Sequence, residues 1–207
     1  MTSNSNKLLI FTKSPVLGEV KTRLQPEYSQ EQSLALHKKM LLNTLSLTRS
    51  LINLDSELCC SPNRTTLFFL ECENRFPITL SNQEGDDLGE RMAFSFSIAL
   101  QTYDKVIIIG TDCPELDEKY IDKALQALDE VDAVIGPAED GGYVLLGLKR
   151  FDIELFKNIS WGSDKVLAQT KDILHDLTWT YKELGIMHDI DRASDLLRYK
   201  ELLNEIS

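Results

Sequence analysis

Two short acidic segments, Thr111-Asp112-Cys113-Pro114 and Asp189-Ile190-Asp191, each follow or end an apolar run that reads as a strand. Far upstream, residues 14–24 (SPVLGEVKTRL) follow the first such run and carry Lys21 and Arg23. Carboxylates that hold a divalent ion, with Lys and Arg on a turn that holds phosphate, are the minimum equipment for handling a nucleotide. Glycine in the loop, Gly18, lets backbone approach a phosphate, while Lys21 supplies a point charge and Arg23 a planar donor fork. Thr12, Lys13 and Gly18 join them as candidate donor contacts. The loop lacks the GKS or GKT of a Walker motif. Taken singly, the loop reads equally as a solvated basic turn, Asp112 as a turn or helix-entry acid, and Asp191 as a helix N-cap. Their combination favours Asp112, Asp191 and Asp189 as ligands of Mg2+ (or Mn2+), since an ion bound to phosphates needs only one or two carboxylates and keeps several waters.

Three further motifs have two readings each. Glu139-Asp140-Gly141-Gly142-Tyr143 is either a hairpin turn or an acceptor contact, where Gly141 and Gly142 admit a small molecule and Asp140 orients its hydroxyl. Asp87-Leu88-Gly89-Glu90-Arg91 opens a helix, as a cap with a surface ion pair or as an edge that recognises a base. Trp161 in Trp161-Gly162-Ser163 either shapes a pocket wall or packs. The histidines 37, 175 and 188 show no ligand spacing.

The elements that must position these groups follow from periodicity. Residues 7–12 (KLLIFT) form a continuous apolar run, as in a strand buried on both faces. A helix is predicted over 29–53 with two apolar stripes, one suited to the sheet and the other to a neighbouring helix or a second subunit. Residues 59–64 read as a turn, 65–70 (TTLFFL) as a strand, 79–87 as a loop and 88–103 as a helix. The β-branched run 105–109 is the strongest strand. A helix over 117–129 and strands at 133–136 and 143–148 follow. Beyond them come a short helix near 153–156, a helix capped by Ser163 or Asp164 and running to about His175, a strand at 178–181 and a closing helix over 193–206. Strands alternating with helices predict an α/β fold, a mainly parallel sheet covered on both faces, with ligand over the carboxyl ends of its strands.

Bulk properties bound the partners. A chain of 207 residues reads as a single domain able to bury a large core. Its formal net charge of −11 argues against a nucleic-acid backbone as partner, though a nucleotide needs only a local cationic patch. The four cysteines lack CxxC spacing, no signal-peptide pattern opens the chain, and no apolar run approaches the ~20 residues that cross a bilayer, so a cytoplasmic location without membrane partners is expected.

The blocks FTKSPVLGEVKTRL, QEGDDLGERM, IIIGTDCPEL, GPAEDGGYVLLGL, ISWGSDKVLAQT and HDIDRASDL, which run from Phe11 to Leu196, resemble those of a bacterial family of GT-A-fold transferases. That family is known as glycosyltransferases associated with radical-SAM/selenoprotein operons or with arsenosugar biosynthesis. The resemblance implies the Rossmann-like nucleotide-diphospho-sugar transferase fold and distant kinship with phospholactate guanylyltransferases and molybdenum-cofactor nucleotidyltransferases. It places Asp112 at the central metal position, Asp191 at the late acidic one and Lys21 and Arg23 at the phosphates. The late block here reads Asp191-Arg192-Ala193-Ser194-Asp195-Leu196 and lacks the family's Thr-Pro. The expected activity is Mg-dependent transfer from a nucleoside triphosphate or nucleotide-sugar to a small phosphorylated or hydroxylated acceptor, leaning to nucleotidyl transfer because two loop cations suit a triphosphate. Glycosyl transfer, with Asp140 or Glu139 as base, and a non-catalytic nucleotide binder are the alternatives; a homodimer is a further expectation.

Overall fold

The computed structural model describes residues 5–25, 27–199 and 202. In chain order it contains β1 (Asn6–Lys13), a 3-10 turn (Thr22–Leu24), α1 (Gln30–Leu47), β2 (Leu54–Ser61), α2 (Leu67–Arg75), β3 (Thr79–Asn82), α3 (Leu88–Ala99) and β4 (Lys105–Ile109). α4 (Glu118–Glu130), β5 (Ala133–Pro137), β6 (Tyr143–Leu148), a 3-10 turn (Ile153–Phe156), α5 (Val166–Asp176), β7 (Tyr181–Glu183) and α6 (Ala193–Leu196) follow. Among the described residues these strands form one seven-stranded sheet in the order β3-β2-β1-β4-β6-β5-β7, parallel throughout except for β6, which runs antiparallel to β4 and β5. The fold is therefore α/β with a mixed, mostly parallel sheet.

Burial follows the period of the strand. Leu8 and Ile10 of β1 face a cluster with Leu41 and Leu45 of α1, Phe69 of α2 and Ile121 of α4. Leu9 and Phe11 face the opposite cluster, with Met92 and Phe96 of α3, Phe156 of the second 3-10 turn and Leu174 of α5. Helices thus cover both faces, which explains why residues 7–12 are buried without a break. A third cluster joins Leu24 to Leu36 and Met40 of α1 and to Ile190 and Leu196 near the chain's end. That cluster takes up Leu36 and Met40, while Leu47, Leu51 and Leu54 pack into the first cluster and Ile52 stays exposed.

The chain leaves β1 for β2 on one side and returns at β4 on the other, so the strand order reverses between β1 and β4. A crevice opens at the carboxyl ends of such a pair. Because β6 runs backwards, the β5–β6 turn lies at this same edge, and the Ala138–Met187 bridge carries residues 187–191 along it.

Several local expectations are corrected. Residues 65–70 are not a strand: Thr66 caps α2, Phe69 and Cys72 are buried at helical spacing, and Leu67 points to solvent. The apolar run TTLFFL concealed a three-residue period. Cys59 and Cys60 lie in β2 rather than a turn, one on each face of the sheet, and the predicted loop 79–87 contains the short edge strand β3. The last strand is shifted to Tyr181–Glu183, since Thr180 instead binds the Asp132 carboxylate. Lys165, not Ser163 or Asp164, precedes α5, although the Ser163 hydroxyl accepts its backbone N–H. Of the predicted closing helix, Ala193–Leu196 is helical before a turn; residues 200, 201 and 203–206 lie outside the described residues.

Candidate active site

Lys21 adopts a left-handed backbone (φ 51°) that turns its side chain inward, where only 4% of it is exposed. Its Nζ lies 2.9 Å from Asp112 Oδ1 and donates to the carbonyl of Ile190. The Ile190 N–H in turn donates to the Asp112 carbonyl at 2.8 Å. The cationic loop, the end of β4 and the late acidic segment are thereby stitched together, with Leu24 and Ile190 buried beneath. Lys21 is a cross-brace as well as a cation. Arg23, two residues on, has a 60% exposed side chain and reaches Asp191 Oδ2 at 2.8 Å.

Asp140, Asp189 and Asp191 each offer a carboxylate oxygen, all within 4.8 Å of one another. Burial, then the negative charges of Asp140 and Asp191, push the Asp189 carboxyl up to about 6. Such mutual repulsion is what a shared cation relieves, and three hard oxygen donors suit Mg2+ or Mn2+. The sequence grouped Asp112 with Asp189 and Asp191; the fold brings Asp140 to them instead and commits Asp112 to Lys21. Asp140 also accepts the Gly142 N–H at 2.9 Å, which fixes its turn. Gly141 is needed for packing: φ is +88°, and a Cβ there would lie 2.3 Å from the Asp164 carbonyl oxygen.

A cavity of about 610 Å³ opens over the ends of β1 and β4. Its polar wall includes Thr12, Lys13, Lys21, Arg23, Arg91 and Asp112; its apolar wall includes Phe11, Val20, Leu88 and Trp161. Gly89 serves Trp161, whose Nε1 would be 2.4 Å from a Cβ at that position, so the glycine admits the indole. Asp87 caps α3 by accepting the Glu90 N–H at 2.8 Å. Arg91 Nε donates to the Gly85 carbonyl at 2.9 Å, while Gly18 (φ +78°) lies in the cationic loop against Gln30. Two residues that sequence reasoning missed hold this rim. Gln83 donates to the carbonyls of Thr12 (3.1 Å) and Cys59 (2.8 Å), and His37 Nε2 bonds the Lys13 carbonyl at 3.0 Å. Burial lowers the His37 pKa, so the ring is neutral and donates. Neither has a sequence signature; only the fold brings a helix and a loop to the end of β1.

A second cleft of about 440 Å³ adjoins the first, and both share Arg23, Gly162 and Asp191. Asp191 thus belongs to both, while Asp140 and Asp189 line the second cleft together with Ser163 and Asp164. Glu139 lines it too, but its carboxylate is held by Arg198 at 3.0 Å and lies 3.5 Å from His188. A third cavity, between the 3-10 turn Ile153–Phe156 and α5, contains none of these residues. Among the described residues no helix is long and apolar enough to cross a membrane.

Residues 44–163 match the family DUF2064, described as "Uncharacterized protein conserved in bacteria". The 2-phospho-L-lactate guanylyltransferase of Methanocaldococcus jannaschii is 30% identical over 191 residues, covering 91% of this chain and 80% of that protein. Its counterpart in Methanocaldococcus vulcanius is 27% identical over 192 residues, covering 91% and 82%. Among solved structures, a provisionally named nucleotide-diphospho-sugar transferase from Desulfovibrio desulfuricans G20 matches with a TM-score of 0.83 at 27% identity, over 97% of each chain. Glucosyl-3-phosphoglycerate synthase from Mycobacterium tuberculosis, bound to Mn2+, UDP and glucosyl-3-phosphoglycerate, shares the fold at TM-score 0.57 and 10% identity, over 98% of this chain and 78% of that one. The chain is a transferase with the nucleotide-diphospho-sugar transferase fold, and it belongs to the DUF2064 family.

Proposed function

We propose that residues 1–207 act as one divalent-metal-dependent nucleotidyltransferase domain, taking a nucleoside triphosphate in the larger cavity and a small acceptor in the adjoining cleft. The observation that carries this reading is the seam: two clefts meet at Arg23 and Asp191, beside three mutually close carboxylates. Guanylyltransferase relatives along most of the chain favour nucleotidyl over other group transfer. Asp140, Asp189 and Asp191 would hold Mg2+ or Mn2+, which when bound supplies charge neutralisation at the phosphates.

In this reading Asp191 would be among the ion's ligands and Arg23, whose side chain is 60% exposed, would turn to the triphosphate, with Lys13 and Arg91 extending the cationic wall. Lys21 keeps Asp112 and residues 189–191 in register, so the acids are positioned before the donor arrives, as preorganised electrostatics requires. Phe11, Leu88 and Trp161 offer an apolar surface to the base. Gly162 lies on the wall that the donor and acceptor clefts share, and Gly141 and Gly142 shape the turn that presents Asp140 to the acceptor cleft. The four free thiols are buried, which suits a reducing, cytoplasmic setting.

A thermal-shift panel with Mg2+ across triphosphates and nucleotide-sugars tests the donor class, because specific binding to the native state raises Tm. Stabilisation by a triphosphate is expected. A larger shift with a nucleotide-sugar supports the second reading, glycosyl transfer, which the D. desulfuricans likeness favours.

A further inference from the structure

From the way charge divides across the Gly162 wall, we infer that the acceptor presents a hydroxyl and carries no negative charge, as in an unphosphorylated sugar or polyol. This inference rests on the nucleotidyl-transfer reading and specifies its second substrate. The donor cavity is balanced toward cations, with Lys13, Lys21, Arg23 and Arg91 against Glu19, Asp112 and Asp191. The adjoining cleft is the reverse, with six carboxylates against the guanidinium groups of Arg23 and Arg192. Its acidity is not removed by neighbours. Arg198 is spent on Glu139 and Arg23 is shared with the donor cavity, which leaves Asp140, Asp164, Asp189, Asp191 and Asp195 against Arg192, with the Asp195 carboxylate also accepting the Asp191 and Arg192 N–H groups. One divalent ion on the carboxylate trio still leaves the cleft net negative.

The cleft counts as the acceptor site because it shares its wall with the donor cavity at the strand ends, not because it is acidic. A phosphorylated acceptor, doubly charged near pH 7, would enter against this field, and repulsion over a few ångströms in a partly desolvated cleft is strong. A neutral hydroxyl compound instead donates hydrogen bonds to carboxylates that can only accept them. In the reaction the acceptor hydroxyl oxygen bonds to the α-phosphorus while the bond from that phosphorus to the bridging oxygen breaks. Pyrophosphate leaves with the electron pair, the hydroxyl proton passes to solvent, and the product is a phosphodiester. A phosphate acceptor, such as the guanylyltransferase relatives' name implies for them, would give a pyrophosphate linkage instead.

The test pairs two measurements on the full chain with Mg2+. Calorimetry first establishes donor binding. Pyrophosphate release is then followed with a panel of sugars and polyols and with the same compounds phosphorylated, for the native protein and for Asp164→Lys. Asp164 is exposed and lines only the acceptor cleft. Turnover is expected with the unphosphorylated half, at least tenfold above the phosphorylated half at low salt. Asp164→Lys should narrow that ratio severalfold while leaving donor affinity within twofold of native. Turnover mainly with the phosphorylated half, turnover with neither, or a ratio unmoved by Asp164→Lys overturns the inference. Failure of any triphosphate to bind overturns the reading beneath it.

Discussion

Asp189→Asn removes the charge at the centre of the carboxylate trio while keeping its volume, and should stabilise the metal-free protein at neutral pH. Burial and the charges of Asp140 and Asp191 raise the Asp189 carboxyl from 3.8 to about 6. At 1.36 kcal/mol per pKa unit, the ionised form carries a penalty whose ceiling is about 3 kcal/mol. Asp189 is only partly buried, so solvent screens part of it, and about 1–2 kcal/mol remains. For a chain of this length that corresponds to a rise in Tm of roughly 3–6 °C. The sign follows from proton binding. Between about pH 4, where the unfolded carboxyl titrates, and about 6, where the native one does, the native state binds more protons. Native stability therefore falls as pH rises through that window, and the loss is complete above it. The gap between variant and native protein should be small at pH 4.5, widen to about pH 6.5 and stay flat beyond. Differential scanning fluorimetry in EDTA, with buffers of matched ionic strength, reads it directly. A variant no more stable than native protein at pH 7.5, or a gap that does not change with pH, would refute the reasoning.

Four further outcomes are expected. Apparent Mg2+ or Mn2+ affinity should fall about tenfold between pH 7.5 and 5, because a proton on Asp189, whose carboxyl titrates near 6, competes with the ion; pH-resolved calorimetry checks this. Arg23→Ala should change stability by less than about 1 kcal/mol, since the pair is exposed, yet weaken triphosphate binding roughly ten- to a hundredfold and diphosphate binding less. Equal losses for UDP and UTP would favour glycosyl transfer. Lys21→Met should cost about 1–3 kcal/mol in urea unfolding, because the Ile190 carbonyl and Asp112 lose a shared donor. Gly141→Ala should cost about 2 kcal/mol or more, because a Cβ meets the Asp164 carbonyl at 2.3 Å and φ is +88°; an unchanged urea midpoint would mean that the 160–164 turn yields freely.

The sheet was legible where one physical cause dominates. Residues 8–11 and 106–109 are apolar without interruption because both faces and both edges of β1 and β4 are covered. The failures have equally specific causes. Residues 65–70 share the composition of a strand, and only the burial of Phe69 and Cys72 against exposed Leu67 reveals a helical period. Residues 59–61 close β2, and the proline–asparagine signal at 62–63 drew the expected turn three residues too far back. At the site, the meeting of Asp112, Asp191, Lys21 and Arg23 was legible because each sits at a strand end or on the loop after one. The grouping of Asp140 with Asp189 and Asp191 depends on residues 187–191 running beside the β5–β6 turn, a pairing that no local pattern encodes. The same holds for Lys21: its charge is visible in sequence, but its burial against Ile190 is not.

The central claim is that Asp140, Asp189 and Asp191 hold a divalent ion together with a nucleoside triphosphate. Isothermal titration of the triphosphate that ranks first in the thermal-shift panel, into native protein and Asp189→Asn with Mg2+ or with EDTA, tests it most directly. Binding should be tight only for native protein with Mg2+, weakening at least tenfold when either the ion or the Asp189 charge is removed. Affinity that is the same in EDTA, or the same in the variant with Mg2+, would contradict a metal centre at this seam.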